Sequence, residues 1–437
     1  MADRPLLFVN AAQVVTCAGP ARARRGKEMR DVGILRNAAI AVSNGRIAMI
    51  GAARDIEHAY SDPEVIDCRG GVLTPGLVDS HTHAVFGKPR FEEHEQRAEG
   101  LDYMEIADRG GGIHASMRDF AERSEEDLYD IGVTRVRELA SYGTTTLEIK
   151  SGYGASFDDE LKALRVIGKL AERQPMRIVP TWLGAHEISP EHRASDERRS
   201  AYVDSLIDEL LPNVVKQGVA RFADVFCEPG VFTIDEARRI LVAARNAGLG
   251  LKLHADEFKP SGGAELAASL NAASADHLAA ISETGIGALA RSDTVATLLP
   301  GTMLFLGKAQ RAPARALIDG GAAVALATDF NPGTSPSVNF PLMLTLGVSQ
   351  LRMSLAEVLL GSTVNGAAAL GLADETGQIA PGFAADLALF AIEDVRELPY
   401  WYGARLCVGS WKAGAPCHPY ESVTKLNPRP PEVVPAG

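Results

Sequence analysis

The stretch Gly76–His83 reads GLVDSHTH, a short apolar segment that ends in two histidines separated by one residue. From there to about Leu370, further short apolar runs alternate with longer segments of helical periodicity. Eight strand–helix units within roughly 300 residues fit a closed parallel barrel better than an open sheet. The sequence therefore predicts an α/β fold built on a (β/α)8 TIM barrel.

The predicted barrel strands are short and almost continuously apolar. They are Gly76–Asp79, Thr144–Ile149, Arg177–Thr181, Phe222–Cys227, Gly250–His254, Ser274–Asp276, Val295–Leu299 and Ala323–Thr328. Among the helical segments between them, Thr233–Ala247 begins with a capping box formed by Thr233 and Glu236. This alternation predicts that the strands form the centre of the barrel and the helices its outer layer.

Strand patterns also occur at both ends of the chain. Asn44-Gly45 separates two apolar runs as a hairpin turn would, and Glu64–Asp67 is a further strand. Near the other end, Ala385–Ala391 and Leu406–Trp411 have the same texture. We expect a small β-sandwich built from both chain ends, with boundaries at residues 1–72 (first sandwich part), 73–376 (barrel), 377–420 (second sandwich part) and 421–437 (Pro-rich tail).

The composition limits the kinds of molecule that the protein is expected to bind. The 437 residues include 44 Lys and Arg against 56 Asp and Glu, a net charge of -12, which is unlike a general nucleic-acid or anionic-membrane binder. Five scattered cysteines do not form a disulfide framework. The N-terminus lacks the layout of a signal peptide, and no apolar run is long enough to span a membrane. We therefore expect a cytoplasmic protein.

The chemistry of a barrel enzyme collects at the C-terminal ends of its strands. His81 and His83 alternate along the first strand and can both point into the barrel. With His254 after the fifth strand and Asp329 after the eighth, they are the predicted ligands of a divalent metal, Zn²⁺ or Fe²⁺, with Fe³⁺ also possible. The fourth strand carries no lysine that could bridge two ions, so one metal is expected.

A bound metal lowers the pKa of water and provides hydroxide near neutral pH. Asp329 is predicted to accept the proton of that water, and Glu257 to carry protons to a leaving nitrogen. His277, after the sixth strand, is predicted to orient water or a substrate oxygen. The alternatives are a solvated acid for Glu257, a core histidine for His277 and surface histidines for the HxH pair.

Several stretches make the chain recognisable. PGLVDSHTH, HADE, SADH and ATDFNPGT resemble the mononuclear amidohydrolase superfamily, and KSGYG together with ATDFNPGT is similar to the imidazolonepropionase family within it. The similarity runs over nearly the whole chain. It implies hydrolysis of the ring amide of 4-imidazolone-5-propanoate to N-formimidoyl-L-glutamate in histidine degradation, with metal-bound hydroxide attacking the ring carbonyl.

The resemblance also implies substrate contacts. Arg90 would hold the propionate carboxylate as a bidentate fork, which an acidic protein needs for a small anionic substrate; its alternative is a surface arginine. Tyr153 would pack on the ring, and His186 would donate to the ring carbonyl. The other implied contacts are Glu257, Asn331, Gly333 and Thr334. The protein is expected to form a homodimer.

Two rival functions remain open. A deaminase of the same superfamily would use similar metal ligands on a ring amidine, but a neutral nucleobase does not need Arg90. A metal-binding scaffold without catalysis would be expected to lack Glu257 or Asp329, and both are present.

Overall fold

The computed structural model describes residues 4–101, 105–106 and 110–420. In chain order its strands are β1 Leu6–Val9, β2 Gln13–Val15, β3 Ile34–Leu35, β4 Ala38–Ser43, β5 Arg46–Ala52, β6 Glu64–Asp67, β7 Val72–Pro75, β8 Leu77–Asp79, β9 Thr144–Lys150, β10 Arg177–Ala185, β11 Phe222–Cys227, β12 Gly250–Ala255, β13 Ser274–His277, β14 Val295–Leu298, β15 Val324–Leu326, β16 Leu387–Phe390, β17 Cys407–Lys412 and β18 Ala415–His418.

The α-helices lie mostly between the strands of the central sheet. They are α1 Ala53–Ala59, α2 Phe91–Ala98, α3 Ile113–Glu122, α4 Glu125–Ser141, α5 Phe157–Arg173, α6 Asp196–Ser205, α7 Leu211–Gln217, α8 Ile234–Asn246, α9 Gly263–Ser269, α10 Glu283–Ala290, α11 Pro300–Phe305, α12 Ala314–Asp319, α13 Phe340–Ser349, α14 Leu355–Gly361 and α15 Val364–Ala369. Within the described residues, none of them is both long and apolar enough to cross a bilayer.

Strands β8 to β15 form one eight-stranded parallel sheet in sequential order. The sheet closes just beyond the ends of β8 and β15, where Thr82 and Phe330 form a parallel bridge. Two backbone hydrogen bonds reinforce the closure: Asp329 N donates to His81 O at 3.0 Å, and His83 N donates to Phe330 O at 2.9 Å. The predicted TIM barrel is thereby confirmed, and its closure lies beside the predicted metal ligands.

The eight predicted barrel segments all contain a strand. The largest difference is at β10, which continues to Ala185 and not to Thr181, and so carries the chain further toward the C-terminal end. The capping box at α8 is present, with Thr233 Oγ1 accepting from Glu236 N. Helix α8 then buries Ala237, Ile240, Leu241 and Ala244 against the barrel.

Two smaller sheets pack on each other beside the barrel. The four-stranded sheet has the order β5-β4-β1-β6, and the six-stranded sheet has the order β18-β17-β16-β7-β2-β3. At the β4–β5 turn, Asn44 and Gly45 both have positive φ, as the hairpin prediction requires. Phe8 and Trp411 meet edge to face between the sheets, with ring centroids 4.9 Å apart. The predicted sandwich from both chain ends is thereby confirmed.

The domain boundaries stay a prediction. Strand β7 begins at Val72, so most of it lies on the barrel side of the predicted boundary, yet it pairs with β16 in the six-stranded sheet. The chain therefore enters the barrel only after Pro75. The predicted tail, residues 421–437, lies outside the described residues.

Candidate active site

Four histidines and one aspartate converge at the C-terminal end of the barrel. We call His81, His83, His254, His277 and Asp329 the imidazole cluster. The ring centroids of His81 and His254 are 4.5 Å apart, and those of His254 and His277 are 5.1 Å apart. All five residues are buried. The closed parallel sheet therefore brings together side chains that are far apart in the sequence.

The cluster has the donor geometry of a metal site. Ligand atoms of His81, His83 and Asp329 lie within 4.8 Å of one another, and so do those of His81, His254 and His277. Both His81 Nε2 and His83 Nε2 are 3.6 Å from Asp329 Oδ1. The buried His81 Nε2 has no hydrogen-bond partner among the described residues. Converging imidazole nitrogens of this kind fit a divalent ion, and His277 stands at ligand distance as well.

Burial determines the charge of these imidazoles. It lowers the pKa of His81, His83 and His277 well below the usual range for histidine, and neighbouring positive groups add to the effect. The imidazoles of His81, His83 and His277 are therefore neutral at physiological pH. Neutral imidazole is the form that binds a metal.

Asp329 is held at the closure of the barrel. Its φ is +54°, in the left-handed region, and its Oδ2 accepts a hydrogen bond of 2.6 Å from Thr302 Oγ1. Burial raises the pKa of Asp329 to about 6. A carboxylate with this pKa, beside two imidazole nitrogens, is suited to exchange a proton near neutral pH.

Glu257 follows β12 in a turn whose backbone is bound by a second acid. The carboxylate of Glu228 accepts hydrogen bonds from the backbone N–H groups of Glu257, Phe258 and Lys259. Glu257 Oε1 is 3.5 Å from His277 Nδ1. Burial, together with the charges of Asp329 and Glu228, raises the pKa of Glu257 well above its usual range. The raised pKa favours the protonated carboxyl, which is the form that can act as a proton donor.

Below the imidazole cluster, five charged side chains fill the barrel interior. We call them the core network: Glu148, Lys150, Asp224, Lys252 and Asp276, none of them exposed by more than 1%. Glu148 also accepts a hydrogen bond of 2.5 Å from Thr181 Oγ1. Although burial acts to raise it, the pKa of Asp224 lies well below its usual range because of His254 and Lys150.

The sequence reasoning missed the core network. The signal was present, because charged residues are rarely buried unless they are paired, and all five lie inside strands of the barrel. Glu148 and Lys150 are two residues apart in β9 and so share one face.

The loop after β9 carries Tyr153 and is held in place by the buried carboxylate of Glu160. Glu160 Oε1 accepts hydrogen bonds from Gly152 N at 2.8 Å and from Gly154 N at 2.7 Å. His186 Nδ1 donates to Gly152 O at 2.9 Å. The His186 ring stacks on His83 with centroids 5.2 Å apart, and the Tyr153 ring lies 6.0 Å from that of His83. Tyr153 and His186 thus border the imidazole cluster.

Arg90 lies against the loop that follows Asp329. Its guanidinium lies over Gly333 so closely that a Cβ added to Gly333 would overlap Arg90 Nη2 and Cζ. Its Nε is 3.7 Å from Glu93 Oε2. Asn331 Oδ1 accepts from the backbone N–H groups of Gly333 and Thr334 and so closes this loop as a tight turn. The structure brings Arg90 to the loop of Asn331, Gly333 and Thr334.

Comparisons with known proteins agree with this architecture. Residues 72–416 match the model of the amidohydrolase family. An imidazolonepropionase of Bacillus velezensis is 45% identical over 91% of this chain and 93% of its own length, and one of Geobacillus kaustophilus is 44% identical over 92% and 95%.

Solved structures share the fold at low identity. An adenosine deaminase of Xanthomonas campestris with bound zinc gives a TM-score of 0.69 at 20% identity, covering 94% of this chain and 92% of its own. A guanine deaminase of E. coli gives 0.71 at 16% identity, covering 97% and 100%. These similarities concern the fold alone. Given the family match over the whole barrel and the identity to curated relatives over nearly the full length, the chain belongs to the amidohydrolase family and, within it, to the imidazolonepropionases.

Proposed function

We propose that the protein hydrolyses the ring amide C–N bond of 4-imidazolone-5-propanoate and so produces N-formimidoyl-L-glutamate in histidine degradation. One observation carries the proposal: a buried imidazole–carboxylate cluster adjoins a loop on which a guanidinium lies, in a chain 45% identical to an imidazolonepropionase. The cluster suits hydrolysis, and the guanidinium suits an anionic substrate.

One divalent ion would be held by His81, His83, His254 and Asp329. When bound, it supplies an acidified water as nucleophile and polarises the ring carbonyl. The fit rests on the neutral imidazoles and on the unpartnered His81 Nε2. We propose Zn²⁺ or Fe²⁺, with Fe³⁺ as a further possibility, because all of them accept nitrogen and oxygen ligands.

The protons are moved by the two acids. Asp329 Oδ1 lies 3.6 Å from His81 Nε2 and from His83 Nε2, and so beside the proposed metal position. From there Asp329 accepts the proton of the attacking water. Glu257, whose raised pKa favours the protonated form, delivers a proton to the ring nitrogen as the C–N bond breaks. His277, 3.5 Å from Glu257, orients the oxygen that develops negative charge.

A second group of residues binds the propionate and the flat ring of the substrate. Arg90 pairs with the propionate carboxylate, and Tyr153 packs on the flat ring. The Nδ1 proton of His186 is donated to Gly152 O, and burial lowers the pKa of His186 to about 3, so the ring is neutral. Its Nε2 can therefore accept a hydrogen bond from the substrate ring but has no proton to donate to the ring carbonyl, the role that the resemblance implied. The turn beside Arg90 forms the adjoining wall of the substrate site through Asn331, Gly333 and Thr334.

The test is an assay of the purified protein with 4-imidazolone-5-propanoate. We expect the ring absorbance to disappear and a product heavier by one water to form without release of ammonia. Treatment with a strong chelator should stop turnover, and added Zn²⁺ or Fe²⁺ should restore it. Ammonia release from a nucleobase, without opening of the imidazolone, would favour the deaminase alternative.

The proposal also includes a homodimer, because cyclic dimers are the commonest assemblies of soluble oligomeric proteins. A cytoplasmic location is supported by five buried cysteines that are not joined in disulfides. Sedimentation of the purified protein tests the dimer, and metal analysis of protein purified without added metal distinguishes zinc from iron.

A further inference from the structure

The ammonium group of Lys150 is surrounded by carboxylates in the barrel interior. Lys150 Nζ lies 2.7 Å from Asp224 Oδ2, 2.7 Å from Glu148 Oε2 and 3.8 Å from Asp276 Oδ2. All four side chains are fully buried. Ionic groups in such an environment are stable only when they are paired and hydrogen-bonded.

Two of these carboxylates also hold imidazoles of the cluster. Asp276 Oδ2 is 2.7 Å from His81 Nδ1, and Asp224 Oδ2 is 3.0 Å from His254 Nδ1. Asp224 Oδ1 accepts a further hydrogen bond from His254 N at 3.1 Å. At His81, the Nδ1 proton donated to Asp276 leaves the Nε2 lone pair directed into the cluster. At His254, the hydrogen bond to Asp224 comes from the backbone N–H, and the ring is placed by the 3.0 Å contact of its Nδ1.

The same carboxylate oxygens therefore contact both Lys150 and an imidazole. Lys252, the other cation of the core network, donates to Ser80 O at 2.9 Å and lies 3.6 Å from both Glu148 Oε1 and Asp276 Oδ2. Of these two cations, Lys150 is the one within 4 Å of Asp224 and Asp276 together. Lys150 therefore links Asp276, which contacts His81, with Asp224, which contacts His254.

We infer that Lys150 is a positioning residue for the metal centre: by bridging Asp224 and Asp276, it fixes the spacing and the ring orientation of His81 and His254. The inference rests on the metal site of the proposed function. Without the ammonium group, the two carboxylates repel each other and admit water, so the imidazoles they hold lose their common geometry. The metal site then binds its ion more weakly.

The test compares Lys150→Met with the double variant Lys150→Met/Glu148→Gln, which removes the ammonium group but keeps the net charge of the core network. Lys162→Met is the control, because Lys162 Nζ binds the carbonyls of Phe120, Ala121 and Arg123 and pairs with Asp159, away from the cluster. Near-UV circular dichroism of the metal-free proteins reports folding. Competition with a chromophoric chelator gives the Zn²⁺ affinity, and the Co²⁺ absorption spectrum reports ligand geometry.

We expect the double variant to fold, to bind Zn²⁺ about 10–100-fold more weakly and to show an altered Co²⁺ spectrum, whereas Lys162→Met matches the wild type. A folded double variant with wild-type affinity and spectrum would overturn the inference. Failure of the double variant to fold would assign Lys150 to stability and overturn it too. Wild-type protein that binds Zn²⁺ but does not open the imidazolone would defeat the proposed function alone.

Discussion

The two halves of the active site are built differently. The imidazole cluster stands on strand ends and is held from below by the core network, through contacts of 2.7 to 3.0 Å between fully buried groups. The substrate side stands on loops, where Arg90 keeps a tenth of its side chain exposed and its Nε is 3.7 Å from Glu93. Sites on strands are more precisely fixed than sites on loops. We therefore expect changes in the strand-borne half to lower kcat and changes in the loop-borne half to raise KM.

Asp329→Ala should have the largest effect, because it removes a proposed metal ligand and the proposed base together. We expect kcat to fall by about 10⁴-fold or more, measured as the rate of loss of imidazolone absorbance. Asp319→Ala is the control, since Asp319 is half exposed and pairs with Arg315 outside the cluster. Turnover near the wild-type rate in Asp329→Ala protein would remove Asp329 from the chemistry.

Glu257→Gln should have the second-largest effect, with kcat lower by roughly 10²- to 10³-fold. Burial and the charges of Asp329 and Glu228 raise the pKa of Glu257, so the carboxyl keeps its proton to a higher pH than an exposed glutamate does. It loses that proton as the pH rises through the raised pKa, and activity should fall on this alkaline limb. The glutamine variant should lack the limb in its kcat–pH profile. An unchanged limb in the variant would mean that another group donates the proton.

Arg90→Ala tests the loop-borne half directly. Losing a charge-assisted hydrogen bond of about 1.5–3 kcal/mol should raise KM roughly 10- to 150-fold, while kcat stays within a few-fold of the wild type. Arg90→Lys should recover part of the loss, because lysine keeps the charge but not the planar fork. A fall in kcat without a change in KM would place Arg90 in the chemical step.

The strand-borne half was the more predictable from sequence. Alternation along a strand puts His81 and His83 on one face, and a closed parallel barrel brings His254 and Asp329 to the same end, so periodicity alone led to the cluster. The core network could not be assembled in this way. Charges inside strands are visible in the sequence, but which carboxylate pairs with Lys150 depends on the register of neighbouring strands.

The residues of the loop-borne half were predicted only through the family resemblance, because the conformation of a loop follows from its tertiary contacts. The turn closed by Asn331 Oδ1 and the packing of Arg90 on Gly333 join parts of the chain that no local pattern connects. Gly333 was implied as a substrate contact and stays a prediction in that role. Its contact with Arg90 gives it a second reason to lack a side chain.

Gly333→Ala should have the smallest effect and separates the two halves most sharply. Its φ lies outside the left-handed region, so alanine fits the backbone, and the new methyl group acts only by displacing the Arg90 guanidinium. We expect KM to rise up to about tenfold, less than in Arg90→Ala because a displaced arginine still attracts the carboxylate, with kcat and the Zn²⁺ affinity unchanged. Gly51→Ala is the matched control, since a Cβ there meets nothing within 4 Å. If Gly333→Ala weakened Zn²⁺ binding as well, the loop after Asp329 would transmit strain into the cluster, and the two halves would not be independent.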